Sequence, residues 1–131
     1  MKIAILLPYK ENFSPEYPGA VSLFINDTSL LSRYKKNIKV YGSSNYKKLF
    51  KINYVNISLS KHIIESQSKK YINDFITHEK NERSNLIEIH NRPNYLRFLI
   101  EKLNKRNYSL FFHNDPCQWK VQKISMRENI F

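Results

Sequence analysis

The sequence predicts an α/β protein with a Rossmann-like parallel sheet and helices on both of its faces. Short apolar runs alternate with stretches of helical period along the chain. Parallel strands need long crossover connections, and the helical stretches supply them. The 131 residues suffice for one core and are too few for two full domains.

Residues 2–7, KIAILL, read as a buried first strand. A loop follows, PYKENFSPEYPGA, punctuated by Pro8, Pro15, Pro18 and Gly19. From Ala20 the pattern turns helical, with Val21, Phe24, Ile25, Thr28 and Leu31 expected on one buried face. IKVYG, 38–42, is a short strand closed by Gly42, and KINYVNISL, 51–59, a longer one. Residues 61–79 suit a helix with a polar face carrying Ile64, Tyr71, Ile72 and Phe75. NLIEI is the next strand. Pro93 sits where a first helical turn tolerates proline, because no backbone N–H is needed there. Leu96, Leu99, Ile100 and Leu103 mark that helix's apolar face, and Lys102, Lys105 and Arg106 its basic end. YSLFF, 108–112, is the last strand, and 119–130 a last helix.

Composition sets limits on function. With 41% hydrophobic and 14% aromatic residues, the chain can build a core. No apolar run approaches the length of a membrane span, and no signal-peptide cleavage pattern follows the first strand. The single cysteine, Cys117, cannot form an internal disulfide, so a reducing, cytoplasmic setting is expected. Twenty-two basic against 11 acidic residues give a net charge of +11, which favours anionic partners. Lysine dominates this excess, whereas specific phosphate and base contacts favour arginine's planar fork.

Two strands end in dense polar clusters, LIEIHNRP at 86–93 and LFFHNDP at 110–116. Ligands of open α/β sheets bind at the carboxyl ends of the strands. The loops 8–19, 90–93 and 113–118 therefore converge on one rim, which is the expected site. Asn, Asp and Pro also build tight strand-to-helix turns, and that reading competes for those positions. His90 and His113 have no special merit in such turns, which points to a site. With only Gly19 and Gly42 in the chain there is no dinucleotide fingerprint and no P-loop. No C-x-x-C pair is present, and His90, His113 and Asp115 lack the local spacing of metal ligands. Cys117 lies near His113 in sequence but beside a tryptophan, as a packing cysteine would. His62 and His78 fall on the polar helix and are expected in solvent. No recognised nucleic-acid motif accompanies the basic charge, so no nucleic acid partner is expected.

The segment LIEIHNRPNYLRFLIEKLNKRNYSLFFHNDP resembles the N-terminal domain of glycosyltransferase family 4, and the opening MKIAILLP and the loop ending PGAVSLF extend the resemblance. That family comprises retaining, sugar-nucleotide-dependent transferases of the two-domain GT-B type, many of which build lipopolysaccharide or other surface glycans. The resemblance implies that residues 1–131 form the acceptor-side Rossmann-like domain. It implies a nucleotide sugar as donor substrate, a glycan or lipid-linked acceptor, and no metal or other cofactor. It places Gly19 and Ala20 in the family's glycine loop, where Ala20 leaves less room than the commoner glycine. His113 falls on the histidine that faces the catalytic cleft. His90, Arg92, Asn114 and Asp115 fall around it as substrate-binding positions. The donor-binding second domain is not in the sequence, so the chain is expected to be inactive alone and to need a donor-binding domain. An anionic membrane surface at the cytoplasmic face is a further expected partner. The alternative is a non-catalytic glycan-binding or partner subunit of a split transferase.

Overall fold

Four hydrophobic residues in a row, Ile3–Leu6, form the first strand β1, and all four are buried. Burial on both faces is what a central parallel strand requires. A computed structural model describes residues 1–44, 46–57, 66–103 and 105–113. Among them the strands are β1, β2 (Ile38–Gly42), β3 (Tyr54–Asn56), β4 (Leu86–His90) and β5 (Asn107–Phe111). They form a five-stranded sheet in the order β3-β2-β1-β4-β5, parallel throughout. This is the doubly wound, Rossmann-like order, with its switch point between β1 and β4.

Among the described residues three α-helices cover the sheet: α1 (Ala20–Leu31), α2 (Gln67–Glu82) and α3 (Pro93–Lys102). Alternation along β1 divides the core in two. Ala4 and Leu6 join Tyr71, Phe75, Leu96 and Leu99 in the cluster under α2 and α3. Ile3, Ile5 and Leu7 join Val21, Ile25 and Phe13 in the cluster under α1. Helices on both faces follow, as the sequence predicts.

Local signals set the helix ends. Ser66 caps α2 by accepting from the Lys69 backbone N–H at 3.2 Å. Arg83, in the left-handed region at φ 53°, stops that helix. The helix therefore starts later than the expected residue 61 and ends later than 79, while residues 58–65 lie outside the description. β3 occupies the middle of the apolar run 51–59; ladder bonds continue at its ends, from Val40 N–H to the Asn53 carbonyl at 2.8 Å and from Ile57 N–H to the Gly42 carbonyl at 2.7 Å. The expected last helix 119–130, with Asn114, Asp115, Cys117 and His62, lies outside the described residues.

One expectation is corrected. The buried stripe of α1 is Val21, Ser22, Ile25 and Ser29, whereas Thr28 is exposed, Phe24 is 38% exposed and Leu31 is 88% exposed. The helix turns two small serines toward the sheet, and its larger residues lie on the flank. Val21 and Ile25 are buried as expected, but hydrophobicity alone adds Phe24 and Leu31 and passes over the two serines, because close packing on a sheet favours small side chains.

Buried polar groups tie the layers together. The Tyr71 hydroxyl reaches the carbonyls of Leu7 at 2.7 Å and Tyr41 at 3.2 Å, joining α2 to the carboxyl ends of β1 and β2. At the opposite end, the fully buried Glu79 carboxylate accepts from both Ser84 N–H and Ser84 hydroxyl, and pairs with Arg106. Such pairing is the condition for burying a charge.

The burial of α1 yields a stability contrast. Ile25→Ala is expected to cost about 2–5 kcal/mol, the range for a truncated core aliphatic. Leu31→Ser should stay within about 0.5 kcal/mol of the parent. Urea denaturation of the two variants checks the assignment.

Candidate functional site

The site grows from the register of β4 and β5. Glu88 and His90 are two residues apart on one strand, so both side chains project from the face that carries α1. Glu88 lies level with Ile5, which belongs to the core under α1. On the neighbouring strand His90 is level with Phe111, and His113 follows two residues later. The same alternation therefore brings Glu88, His90, Phe111 and His113 together.

Their geometry is a linear chain. Glu88 Oε1 lies 2.6 Å from His90 Nε2, and His90 Nδ1 lies 2.8 Å from His113 Nε2. His90 is fully buried, with the Phe111 ring stacked on it at 5.0 Å and the hydrogen-bonded His113 ring edge to edge with it at 5.1 Å between centroids. Phe24 of α1 meets His113 edge-on at 4.9 Å and closes the side. His113 is half-buried at the rim. Burial lowers its pKa below the usual 6.5 and the neighbouring His90 lowers it further, while Glu11 and Glu88 oppose both.

Asn91 fixes the outer ring. It adopts the left-handed region at φ 53°, which Asn tolerates better than most residues. Its N–H donates to the Phe111 carbonyl at 2.9 Å, and its Oδ1 accepts from His113 N–H at 2.7 Å. Its carbonyl accepts from Arg92 Nη1 at 2.8 Å. Arg92 is thus a brace for this turn with part of its guanidinium already engaged. The turn is tied to the first loop, since Tyr9 N–H donates to the Tyr95 hydroxyl at 3.1 Å.

Gly19 is the N-cap of α1 and Ala20 its first residue. The φ of Gly19 is −72°, which any residue adopts, so backbone freedom does not explain the glycine. Close approach does: a Cβ there would collide with the Glu11 carboxylate. Glu11 Oε1 accepts from Ser22 N–H at 3.1 Å, so the anion position at the start of α1 is taken by a side chain of the protein itself. The next loop residue back, Lys10, holds φ 67° and donates its N–H to Ser43 Oγ at 3.0 Å.

The structure brings His90, His113 and Arg92 to one rim, and Gly19 and Ala20 to the helix start facing it. Asn114 and Asp115 lie outside the described residues. Sequence reading missed Glu88 and Glu11. The signal for Glu88 was present: a Glu two residues before a strand-ending His shares its face. Glu11 carried no local signal, because its partner is eleven residues away. No group of three His, Cys, Asp or Glu residues is arranged to hold a metal ion among the described residues.

Two clefts flank these elements. One, of about 210 Å³, runs between α1 and β4–β5 and is lined by Phe24, Thr28, Glu88 and Phe111. The other, of about 220 Å³, lies at the amino ends of the strands beside Lys2, Lys39 and Glu82. Of the three lysines that line it, Lys2 and Lys39 pair with Glu82, at 3.7 and 3.4 Å. Among the described residues no helix is long and apolar enough to cross a membrane.

Comparison with protein-family models, with curated proteins and with solved structures returns no match.

Two outcomes test this geometry. Asn91→Gly keeps the backbone conformation and loses the acceptor for His113 N–H, whereas Asn91→Ala loses both. The alanine variant should be less stable than the glycine variant by about 1 kcal/mol in urea titrations. For His113 the unfolded chain takes up a proton near the ordinary value of 6.5, and the folded chain only at lower pH. Its contribution to stability is complete above that value and is lost as pH falls through it toward the folded value. The urea midpoint should therefore drop on acidification from pH 7.5 to 5.5, and drop less in His113→Gln.

Proposed function

We propose that this chain is the acceptor-side domain of a retaining glycosyltransferase. It would move a sugar from a nucleotide-sugar donor to a glycan or lipid-linked acceptor. The observation that carries the reading is His113, held by Asn91 at the carboxyl end of β5 and backed by His90 and Glu88. Sugar transfer needs the acceptor hydroxyl positioned and its proton received, and a neutral imidazole at a sheet rim can do both. The lowered pKa of His113 supports this role, because it keeps the ring able to accept a proton at neutral pH. The Rossmann-like strand order and the resemblance over residues 86–116 support it further.

In this reading the donor's diphosphate is held by a second domain, and the 131 residues alone do not turn over. No metal or other cofactor is part of the proposal. The +11 charge suits work at the anionic cytoplasmic face of a membrane, where lipid-linked acceptors sit.

The test is nucleotide release by the native protein, purified from its source, with a panel of nucleoside diphosphate sugars. His113→Ala should lower turnover by about 10²–10⁴-fold, the range for general acid–base groups. Its stability should fall by only about 1–3 kcal/mol, the cost of leaving the buried His90 Nδ1 unpaired. Equal turnover in the variant would remove His113 from the site. Glycan binding without turnover by any donor would favour a non-catalytic partner subunit instead.

A further inference from the structure

Glu88, His90 and His113 are joined end to end, and the bonding rules fix which atoms hold protons. We propose that they form a two-step proton relay, in which Glu88 is a positioning residue and Nδ1 of His113 is the atom that takes the proton. The proposal deepens the glycosyltransferase reading and rests on it for the source of that proton, the acceptor hydroxyl.

A carboxylate only accepts hydrogen bonds, so Glu88 Oε1, 2.6 Å from His90 Nε2, requires a proton on that nitrogen. A neutral His90 then has an unprotonated Nδ1. That atom lies 2.8 Å from His113 Nε2, so His113 must donate from Nε2. The outer ring is left with a bare lone pair on Nδ1, and among the described residues nothing bonds that atom. One carboxylate thus sets the tautomer of a ring it does not touch, through a second ring that solvent does not reach.

The step balances. As the hydroxyl oxygen bonds to the sugar's anomeric carbon, the carbon–oxygen bond to the diphosphate breaks. The hydroxyl proton forms a bond to His113 Nδ1. The His113 Nε2–H bond breaks, and that proton passes to His90 Nδ1. His113 ends neutral in its other tautomer, and the positive charge rests on His90 beside the Glu88 carboxylate. Among the described residues, the charged and titratable groups facing the relay are Glu11 from the first loop and Glu88 and His90 from β4. α1 and β5 contribute only the Phe24 and Phe111 rings. His90 itself is closed off from solvent while Glu88 lines the cleft beside α1, and the burial of His90 strengthens its attraction to Glu88.

The test needs no substrate, so its failure is separable from failure of the transferase reading. Long-range ¹H–¹⁵N NMR on the full chain reports which ring nitrogens are protonated. At neutral pH, His113 should show a bare Nδ1 and a protonated Nε2. Glu88→Gln, whose amide can donate as well as accept, should no longer fix the proton on His90 Nε2, so both tautomers of His113 should appear. A protonated Nδ1 on His113 in the unaltered chain at neutral pH would overturn the proposal. If Glu88→Gln does not fold, the tautomers of the two rings in the unaltered chain still decide. The relay confirmed while the native protein, purified from its source, releases no nucleotide from any donor would leave the proton pathway standing and sink the glycosyltransferase reading.

Discussion

Side chains of a parallel strand alternate between two faces, and in this protein that constraint separates packing from chemistry. On β4 it sends Ile87 and Ile89 into the core under α2 and α3. The same alternation turns Glu88 and His90 to the opposite face. A slip of one residue would bury the carboxylate and the imidazole among aliphatic side chains. It would also turn the isoleucines out of the core under α2 and α3 toward the face that carries α1. The four-residue match between β1 and β4 and the five-residue match between β4 and β5 resist such a slip. The site thus inherits its geometry from the core rather than from the flexibility of its loops.

The rim is completed by residues that fold unfavourably by themselves. Asn91 and Lys10 both hold positive φ, a conformation costly for side chains with a Cβ. Each occupies the turn immediately after a strand of the switch point, and each is pinned by a specific partner. Lys10 N–H is held by Ser43, and Asn91 makes bonds through its N–H, its carbonyl and its side chain. Strain that is over-determined in this way marks places where position matters more than local stability.

The sheet was largely legible in the sequence, since β1, β2, β4 and β5 are short apolar runs between clear breakers. So were the two histidines, because His stands out at the end of a buried run. Other features were not legible, for identifiable reasons. Glu88 reads as a solvent-facing residue of an alternating strand until the sheet shows what covers that face. The inner face of α1 was misread because Ser22 and Ser29 count as polar in any pattern, while in the fold their small size lets the helix approach the sheet. The role of Gly19 is invisible without Glu11, since its backbone is ordinary and only the neighbouring carboxylate demands a missing Cβ. The ends of α2 depend on Ser66 and on a left-handed Arg83, and no apolar periodicity marks either.

The Glu11 cap bears on how a transferase built on this domain would divide its labour. A helix start facing a nucleotide site is ordinarily left open for a phosphate. Here a carboxylate of the protein already satisfies Ser22 N–H, and its charge also reaches His113. A diphosphate arriving at the same point would meet like charge and would have to displace that cap. The donor's charge is therefore better held from across the cleft, by a domain other than this one. A neutral hydroxyl meets no such penalty at His113, and the nearby carboxylates stabilise the positive charge that appears when its proton is taken up. The electrostatics of this rim thus suit the acceptor, which is the role that the proposed glycosyltransferase assigns to this half of the enzyme.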